Sequence, residues 1–462
     1  MNKISFGTDG WRAILAEDFT FENIKIISQA MSDYLLSMHD SPSIAIGYDT
    51  RFMSDSFANI IGRVMQANKI EVLITDRYIP TPVLSFAVKN LNLDAGIMVT
   101  ASHNPYYYNG VKFKGNYGGS AMQELTKNIE QYLYKNPIPD FQEEKLQAFD
   151  FFKDYKNHIE AIVDIDVIKN MDKQVIFDSM HGAGTGFLNL FLKSGELNLT
   201  GINAGLDPYF ENTLPEPIPE NLTALSEKVK NSDAILGVAT DGDADRFGIL
   251  DEDGNFVQLH DLMPILFEYL IKSRNWEGDI VRTTSMADTI DKLAYQYNRK
   301  VYEVPVGFKN VCEKMLESDV LIGGEESGGF GYKNHIPERD GILSILLVLE
   351  MLAKEEGSIV DKVKNLRNRF GPFAYDRIDQ YCDMKNTEKN MAVLKNHPPD
   401  KIAGRKIIKI NRIDGVKYYF ADNSWMLMRL SQTEPLFRIY VGAQDSKSVK
   451  EILQAGKELL TK

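Results

Sequence analysis

The chain has 462 residues, 44% hydrophobic and 25% charged, with a formal net charge of -13 at pH 7. That length is several times one ordinary domain, and its apolar share is enough for several cores, which excludes disordered, collagenous and disulfide-stapled classes. The acidic balance argues against a broad nucleic-acid surface or an anionic-membrane surface, both of which need a basic face, and leaves a small local anion site open.

The amino terminus carries Asp9, Glu17 and Asp18 where a signal peptide needs an unbroken apolar stretch. The longest apolar run, Ile342 to Leu349, is too short to span a bilayer. A cytoplasmic protein is expected. Only Cys312 and Cys382 are present, a sparse usage that fits a reducing compartment and predicts two free thiols.

Taken in chain order, apolar runs and Gly/Pro punctuation predict α/β units with covered sheets. In residues 1–150, the segments 43–49, 70–76 and 95–101 read as buried strands, with helical periodicity around 20–37, 54–68 and 121–134. The Pro-containing stretch Asn136 to Asp140 reads as an exit from that block. Residues 151–254 hold strands at 173–179 and 234–240 and close in the turn Asp251 to Asn255, where Asp253-Gly254 favours a tight hairpin. The third block, 255–370, runs through strands at 279–284 and 320–324 into a helix at 341–355. After Gly371-Pro372 the pattern changes: residues 371–462 suggest a short antiparallel sheet followed by a terminal helix at 446–460. The three α/β blocks read as distant copies of one unit.

Four loops hold the chemistry-bearing residues. Thr100 to Lys112 follows a strand and sets Ser102 beside His103 in a polar turn. A serine nucleophile needs a nearby base or electrostatic stabilisation, and His103 and Lys112 are the nearest candidates; the competing reading is an Asn-Pro turn with a capping serine. Asp241, Asp243 and Asp245 stand at alternate positions after an apolar strand, a charge density that needs a cation and suits Mg²⁺ or Ca²⁺ rather than Zn²⁺. A calcium EF-hand competes, because Glu252 falls at its last ligand position. Arg246 stands where that loop needs Gly, and strand-like flanks replace helices.

The segment 323–329 offers Glu325, Glu326 and Ser327 on a flexible backbone, groups able to hydrogen-bond sugar hydroxyls. Residues 429–438 supply Arg429, Ser431, Thr433 and Arg438 around a turn, a set that suits a phosphate dianion. A nucleophile, a divalent cation, a polyol reader and a phosphate clamp together point to phosphoryl transfer.

In these residues the chain resembles the α-D-phosphohexomutase family. The likeness runs through Phe6–Arg12, Gly47–Arg51, Pro80–Pro82, the serine loop, Asp178–Gly184, the Asp241 loop, Val306–Lys309, the Glu325 loop, Arg339–Gly341 and the Arg429 loop. It implies three related α/β/α domains plus a smaller C-terminal α+β domain, heart-shaped around a central active-site cleft. By that likeness Ser102 is the phosphoserine, and Asp241, Asp243 and Asp245 bind Mg²⁺ together with a phosphoserine oxygen. Arg12, His103, Lys112 and Arg246 surround the transferring group. Glu325 and Ser327 read the sugar hydroxyls, with Gly307 and Lys309 nearby and Arg339 in the substrate-binding set. Arg429, Ser431, Thr433 and Arg438 clamp the phosphate that is not transferred.

The resemblance further implies a cycle through a hexose 1,6-bisphosphate that turns end for end, with the fourth domain as a hinged lid. Three departures stand out: Gln432 where the family usually has Gly, Gly329 where several members have His, and Arg339 where many have Lys. They leave the general acid and base open among His103, Lys112 and Lys309. The loop 323–329 and Gly118–Ala121 are closer to phosphoglucomutases, so glucose phosphates are the expected substrate. Alternatives are a phosphomannomutase or dual-specificity mutase, a phosphopentomutase, and a catalytically silent sugar-phosphate or Ca²⁺-binding protein. The expected partner is a small sugar phosphate, with no nucleic acid or membrane, bound by a monomer or homodimer.

Overall fold

Runs such as Ser43–Tyr48 and Ala95–Val99 lack polar alternation because both faces of their sheet are covered, and in the computed structural model they are central parallel strands. The structure describes residues 4–7, 10–141, 146–193, 195–381, 384–431 and 436–461. The first sheet has the order Trp11–Ile14, Tyr108–Gly115, Ala95–Val99, Ser43–Tyr48, Glu71–Thr75, Gln147–Phe149. The second runs Phe247–Leu250, Ala234–Thr240, Gln174–Asp178, Asn198–Ile202, and the third Phe330–Tyr332, Val320–Gly324, Asp279–Thr283, Val301–Val304.

With the outer strands Trp11–Ile14 and Gln147–Phe149 set aside, one order recurs in all three sheets: an antiparallel return strand, then the third, first and second parallel strands. The reading of three related α/β blocks is borne out by this topology. Its consequence for chemistry is direct. In every copy the loop between the third parallel strand and its return strand carries the candidate residues: 100–107, 241–246 and 325–329. Each such loop leaves the carboxyl end of a central strand, where ligands of open α/β sheets bind.

The fourth sheet is antiparallel throughout, in the order Ala374–Tyr381, Leu436–Ala443, Trp425–Leu430, Val416–Phe420, Arg405–Asn411, Lys401–Ile402. One face packs Tyr418, Ile439 and Val441 with Leu394, Val449 and Ile452 of its helices. The other sets Trp425, Leu427 and Tyr440 against Val306 of the third block.

A single apolar cluster passes through the three α/β blocks, from Phe86 through Tyr155, Phe187 and Leu236 to Leu266 and Leu346. At its centre the helix Gly341–Lys354 buries Ile342 to Leu349 on every side, so that run serves a protein core. Among the described residues no helix is long and apolar enough to cross a membrane. Cys312 carries a buried, reduced thiol, and Cys382 lies outside the described residues.

Three local readings change. The chain does not leave the first sheet at Asn136 to Asp140, because Gln147–Phe149 returns to pair with Glu71–Thr75. The helix expected at 121–134 is confined to Gln123–Glu130. The helix Thr81–Asn90 has no counterpart in the sequence reading; Pro82 sits in its first turn, where no amide donor is needed.

Candidate active site

Ser102 ends the first strand-to-loop turn with a left-handed backbone, φ 52°, and is 1% exposed. Its amide donates to Thr100 Oγ1 at 2.9 Å, and its hydroxyl donates to Asp241 Oδ2 at 2.9 Å, with His103 Nδ1 3.3 Å away. The two loops can touch because residue 242 is glycine. A Cβ there would sit 2.4 Å from the Ser102 carbonyl oxygen.

Asp241, Asp243 and Asp245 are fully buried, and ligand oxygens of the three lie within 4.8 Å of one another. The Lys112 ammonium, carried by the return strand rather than the turn, donates to Asp243 Oδ2 at 2.6 Å and Asp245 Oδ2 at 2.9 Å. Thr81 donates its amide to the Asp243 carbonyl at 2.9 Å and its hydroxyl to Asp243 Oδ2. Burial, together with Asp245 and Asp243, pushes Asp241 well above the usual carboxylate range. For Asp243, burial acts in the same direction but Lys112 and Thr81 outweigh it and hold the carboxyl low. Arg339 does the same for Asp245, against its burial.

Two oxygens of the trio, Asp243 Oδ1 and Asp245 Oδ1, are buried without a hydrogen-bond partner. Orphaned carboxylate oxygens are costly, and an all-oxygen donor set of this spacing fits a hard divalent cation. The flanks are the antiparallel strands Ala234–Thr240 and Phe247–Leu250, which removes the EF-hand alternative.

Cationic groups ring Ser102. Arg12 Nη1 donates to Asn104 Oδ1 at 2.6 Å, and Arg246 Nη1 to Glu216 Oε1 at 3.3 Å while its amide caps Asp241 Oδ1 at 3.1 Å. Burial and then Arg246, Arg12, Lys112 and Arg377 push His103 well below its ordinary range, so its imidazole is neutral at neutral pH.

The third loop joins through Arg339, whose Nη2 donates to Asp245 Oδ2 at 2.7 Å and whose Nη1 lies 3.7 Å from Glu325 Oε2. Glu325 Oε1 accepts the Gly307 amide at 2.9 Å, and burial raises this carboxyl although Arg339 opposes it. Ser327 is half-buried in the same loop, and Lys309 lies in the first turn of the helix Phe308–Glu317. The fourth sheet is tied on through Asp414, whose Oδ2 accepts the Val306 amide at 3.0 Å and Arg429 Nε at 2.8 Å. Arg438 sits opposite Arg429 on the neighbouring strand, with its Nε 3.3 Å from Asp379 Oδ2, and Ser431 is buried. Thr433 lies outside the described residues. The geometry thus brings the first three loops into contact by side chains, whereas Arg429 joins them through Asp414, Val306 and Gly307.

Family models for phosphoglucomutase/phosphomannomutase match in order: α/β/α domain I over residues 3–137, domain II over 153–254, domain III over 259–370, and the C-terminal domain over 382–458. The chain belongs to this phosphohexomutase family. It is 30% identical to the phosphoglucomutase/phosphomannomutase of Thermococcus kodakarensis, with 98% of each chain covered. It is equally 30% identical, again over 98% of both, to the phosphoglucosamine/phosphogalactosamine mutase of Sulfurisphaera tokodaii. A solved structure from Thermus thermophilus, assigned to the phosphomannomutases, superposes with a TM-score of 0.89 at 33% identity, covering 100% of this chain and 99% of that one. Relatives of equal identity act on different sugars by name, so overall likeness places this phosphohexomutase in its family without choosing its sugar.

Several residues at the site escape sequence reasoning. Thr81 and Arg51 lie in segments that resemble family motifs, but no role follows from their residue types. Asp414 lies in the bend before the strand Val416–Phe420, and nothing in its residue type assigns it a role. Arg377, on the strand Ala374–Tyr381 and 3.1 Å from Asp379, adds to the field on His103 from the fourth sheet. Nothing in its local pattern separates it from a solvated arginine.

Proposed function

We propose that this phosphohexomutase interconverts hexose 1-phosphate and hexose 6-phosphate, with glucose as the preferred sugar, through phospho-Ser102 and a hexose 1,6-bisphosphate. The observation that carries the reading is the 2.9 Å contact of Ser102 Oγ with Asp241, inside a buried carboxylate trio that retains two unpartnered oxygens. Domains bounded near residues 150, 254 and 370 each contribute one loop. Asp241, Asp243 and Asp245 would hold Mg²⁺, which supplies positive charge opposite the phosphoryl oxygens.

In the forward half-reaction the bond between Ser102 Oγ and phosphorus breaks as a sugar hydroxyl oxygen bonds to phosphorus; the hydroxyl proton passes to a protein base, and the departing Ser102 Oγ takes up a proton from a protein acid. Arg12, Lys112 and Arg246 supply donors to the equatorial oxygens in transit. Glu325 and Ser327 orient the sugar with Gly307, Lys309 and Arg339, and Arg429, Ser431, Thr433 and Arg438 bind the resting phosphate. When the bisphosphate has turned, the bond between phosphorus and the other sugar oxygen breaks, the phosphoryl group returns to Ser102 Oγ, and the freed sugar oxygen takes up a proton from a protein acid. His103, its Nδ1 3.3 Å from Ser102 Oγ, is the candidate acceptor of the serine proton in that step.

Intact mass spectrometry before and after incubation with glucose 1,6-bisphosphate tests the phosphoserine: one added phosphate that Ser102→Ala abolishes is the expected result. A coupled assay comparing glucose, mannose and glucosamine 1-phosphates tests the sugar. Highest kcat/KM on glucose supports the assignment, and highest kcat/KM on another sugar removes it.

A further inference from the structure

We infer that Arg51 is a positioning residue for Ser102, holding the serine loop by its main-chain carbonyls. It lies on a loop after the strand Ser43–Tyr48 and is only 3% exposed. Its Nη1 donates to the carbonyls of Pro105 at 2.9 Å and Tyr108 at 3.1 Å. Its Nη2 donates to those of Ser102 at 2.7 Å and Asn104 at 2.6 Å. One guanidinium therefore ties four carbonyls between residues 102 and 108, a span that the compact ammonium of lysine cannot cover.

The guanidinium is itself fixed from two sides. Its Nε lies 3.3 Å from Asp49 Oδ2, and Asp49 Oδ1 accepts the Arg51 amide at 2.9 Å and the Ser54 hydroxyl at 2.8 Å. From the second block the Phe210 ring packs on it, 4.9 Å from Cζ to ring centroid. Phe210 and its neighbours Glu211 and Asn212 all have positive φ, so a strained backbone presents this ring. Burial lowers the arginine to about 10, which leaves it protonated at neutral pH.

Ser102 needs such a support. It is a non-glycine residue in the left-handed region, and its carbonyl oxygen is also the atom against which Gly242 packs. By holding that carbonyl, Arg51 sets the direction of the Ser102 side chain and thus the 2.9 Å contact of Oγ with Asp241. None of these partners belongs to the sugar-reading or phosphate-clamping loops, so its loss should act on kcat and leave KM alone.

The inference rests on the mutase reading, and the experiment separates the two. Wild type, Arg51→Lys and Arg51→Ala are compared in kcat and KM for glucose 1-phosphate per phosphorylated molecule, counted by intact mass after glucose 1,6-bisphosphate. Thermal unfolding is followed in parallel. For both variants kcat should fall about 100-fold with KM within about threefold, the scale of an ångström misplacement of a reacting group. Guanidinium chloride at a concentration too low to unfold the protein should restore part of the Arg51→Ala rate and none of the Arg51→Lys rate. Should Arg51→Ala fail to fold, Phe210→Leu serves, with a smaller loss in kcat and an unchanged KM. The inference is overturned if kcat per phosphorylated molecule is unchanged, if KM alone rises, or if lost activity only tracks the unfolded fraction. A wild-type protein that takes up no phosphate and turns over no sugar phosphate would instead remove the mutase reading.

Discussion

Substitution of Gly242 by alanine isolates the contact between the serine and aspartate loops. The added Cβ would stand 2.4 Å from the Ser102 carbonyl oxygen, where ordinary contact begins at 3.4 Å, so one loop must retreat by about 1 Å (3.4 minus 2.4). Little else changes, because Gly242 has no positive φ and the next atom, Pro215 Cγ, is already at 3.4 Å. The retreat acts along the line that sets the 2.9 Å contact of Ser102 Oγ with Asp241 Oδ2. Overpacking of this kind costs about 1–3 kcal/mol in stability. A displacement of that size at a reacting atom costs about 100-fold in rate.

Gly205→Ala is the matched control, since a Cβ there meets nothing within 4 Å and its φ is not positive. The assay is single-turnover transfer from glucose 1,6-bisphosphate to Ser102, followed by intact mass, beside thermal unfolding of both variants. Slow transfer by a folded Gly242→Ala protein is the expected outcome. If it is phosphorylated as fast as Gly205→Ala, the proposed docking of the two loops does not control the chemistry.

Asp243→Asn should weaken Mg²⁺ binding by about 10-fold or more, read by calorimetric titration with magnesium chloride, and unchanged affinity would exclude Asp243 as a ligand. Glu338→Ala removes the carboxylate that Lys114 and Ser120 share between the first and third blocks, both partners being fully buried in the Lys114 pair. It should cost about 3–5 kcal/mol in denaturant unfolding, and a loss below about 1 kcal/mol would count against that contact. Lys417 donates to the Thr284 carbonyl at 2.7 Å and the Met286 carbonyl at 3.3 Å, beneath the Trp425 ring. Burial and then Arg282 lower it to about 7, against Glu303, Asp288 and Asp291, while an unfolded lysine stays near 10.5. Between those values the unfolded chain binds the extra proton, so stability rises with pH through that window, by about 2 kcal/mol from about pH 7 to about pH 9. Lys417→Met should flatten that slope in denaturant melts at several pH values, and an unaltered slope would assign it to other groups.

Composition, apolar runs and the spacing of three aspartates were enough to predict covered α/β blocks, a terminal antiparallel sheet and an oxygen-rich cation site, because these depend on local pattern and on charge density along the chain. The strand after the serine loop was not legible. In residues 108–115 only Val111 and Phe113 mark an apolar face, and the opposite face is lysines buried against carboxylates of later blocks, so Lys112 reads as a turn residue when it is a strand residue. Nor could the sequence find Arg51, Thr81, Asp414 or Arg377, which act on loops or blocks distant in the chain. What the chain determines by itself is which residue types each loop carries. That three loops leave equivalent strand ends and meet, with Ser102 Oγ on Asp241 and Arg339 joining Asp245 to Glu325, was decided by tertiary packing. Contacts between distant segments depend on how sheets twist and share a core, and no periodicity within one segment encodes that.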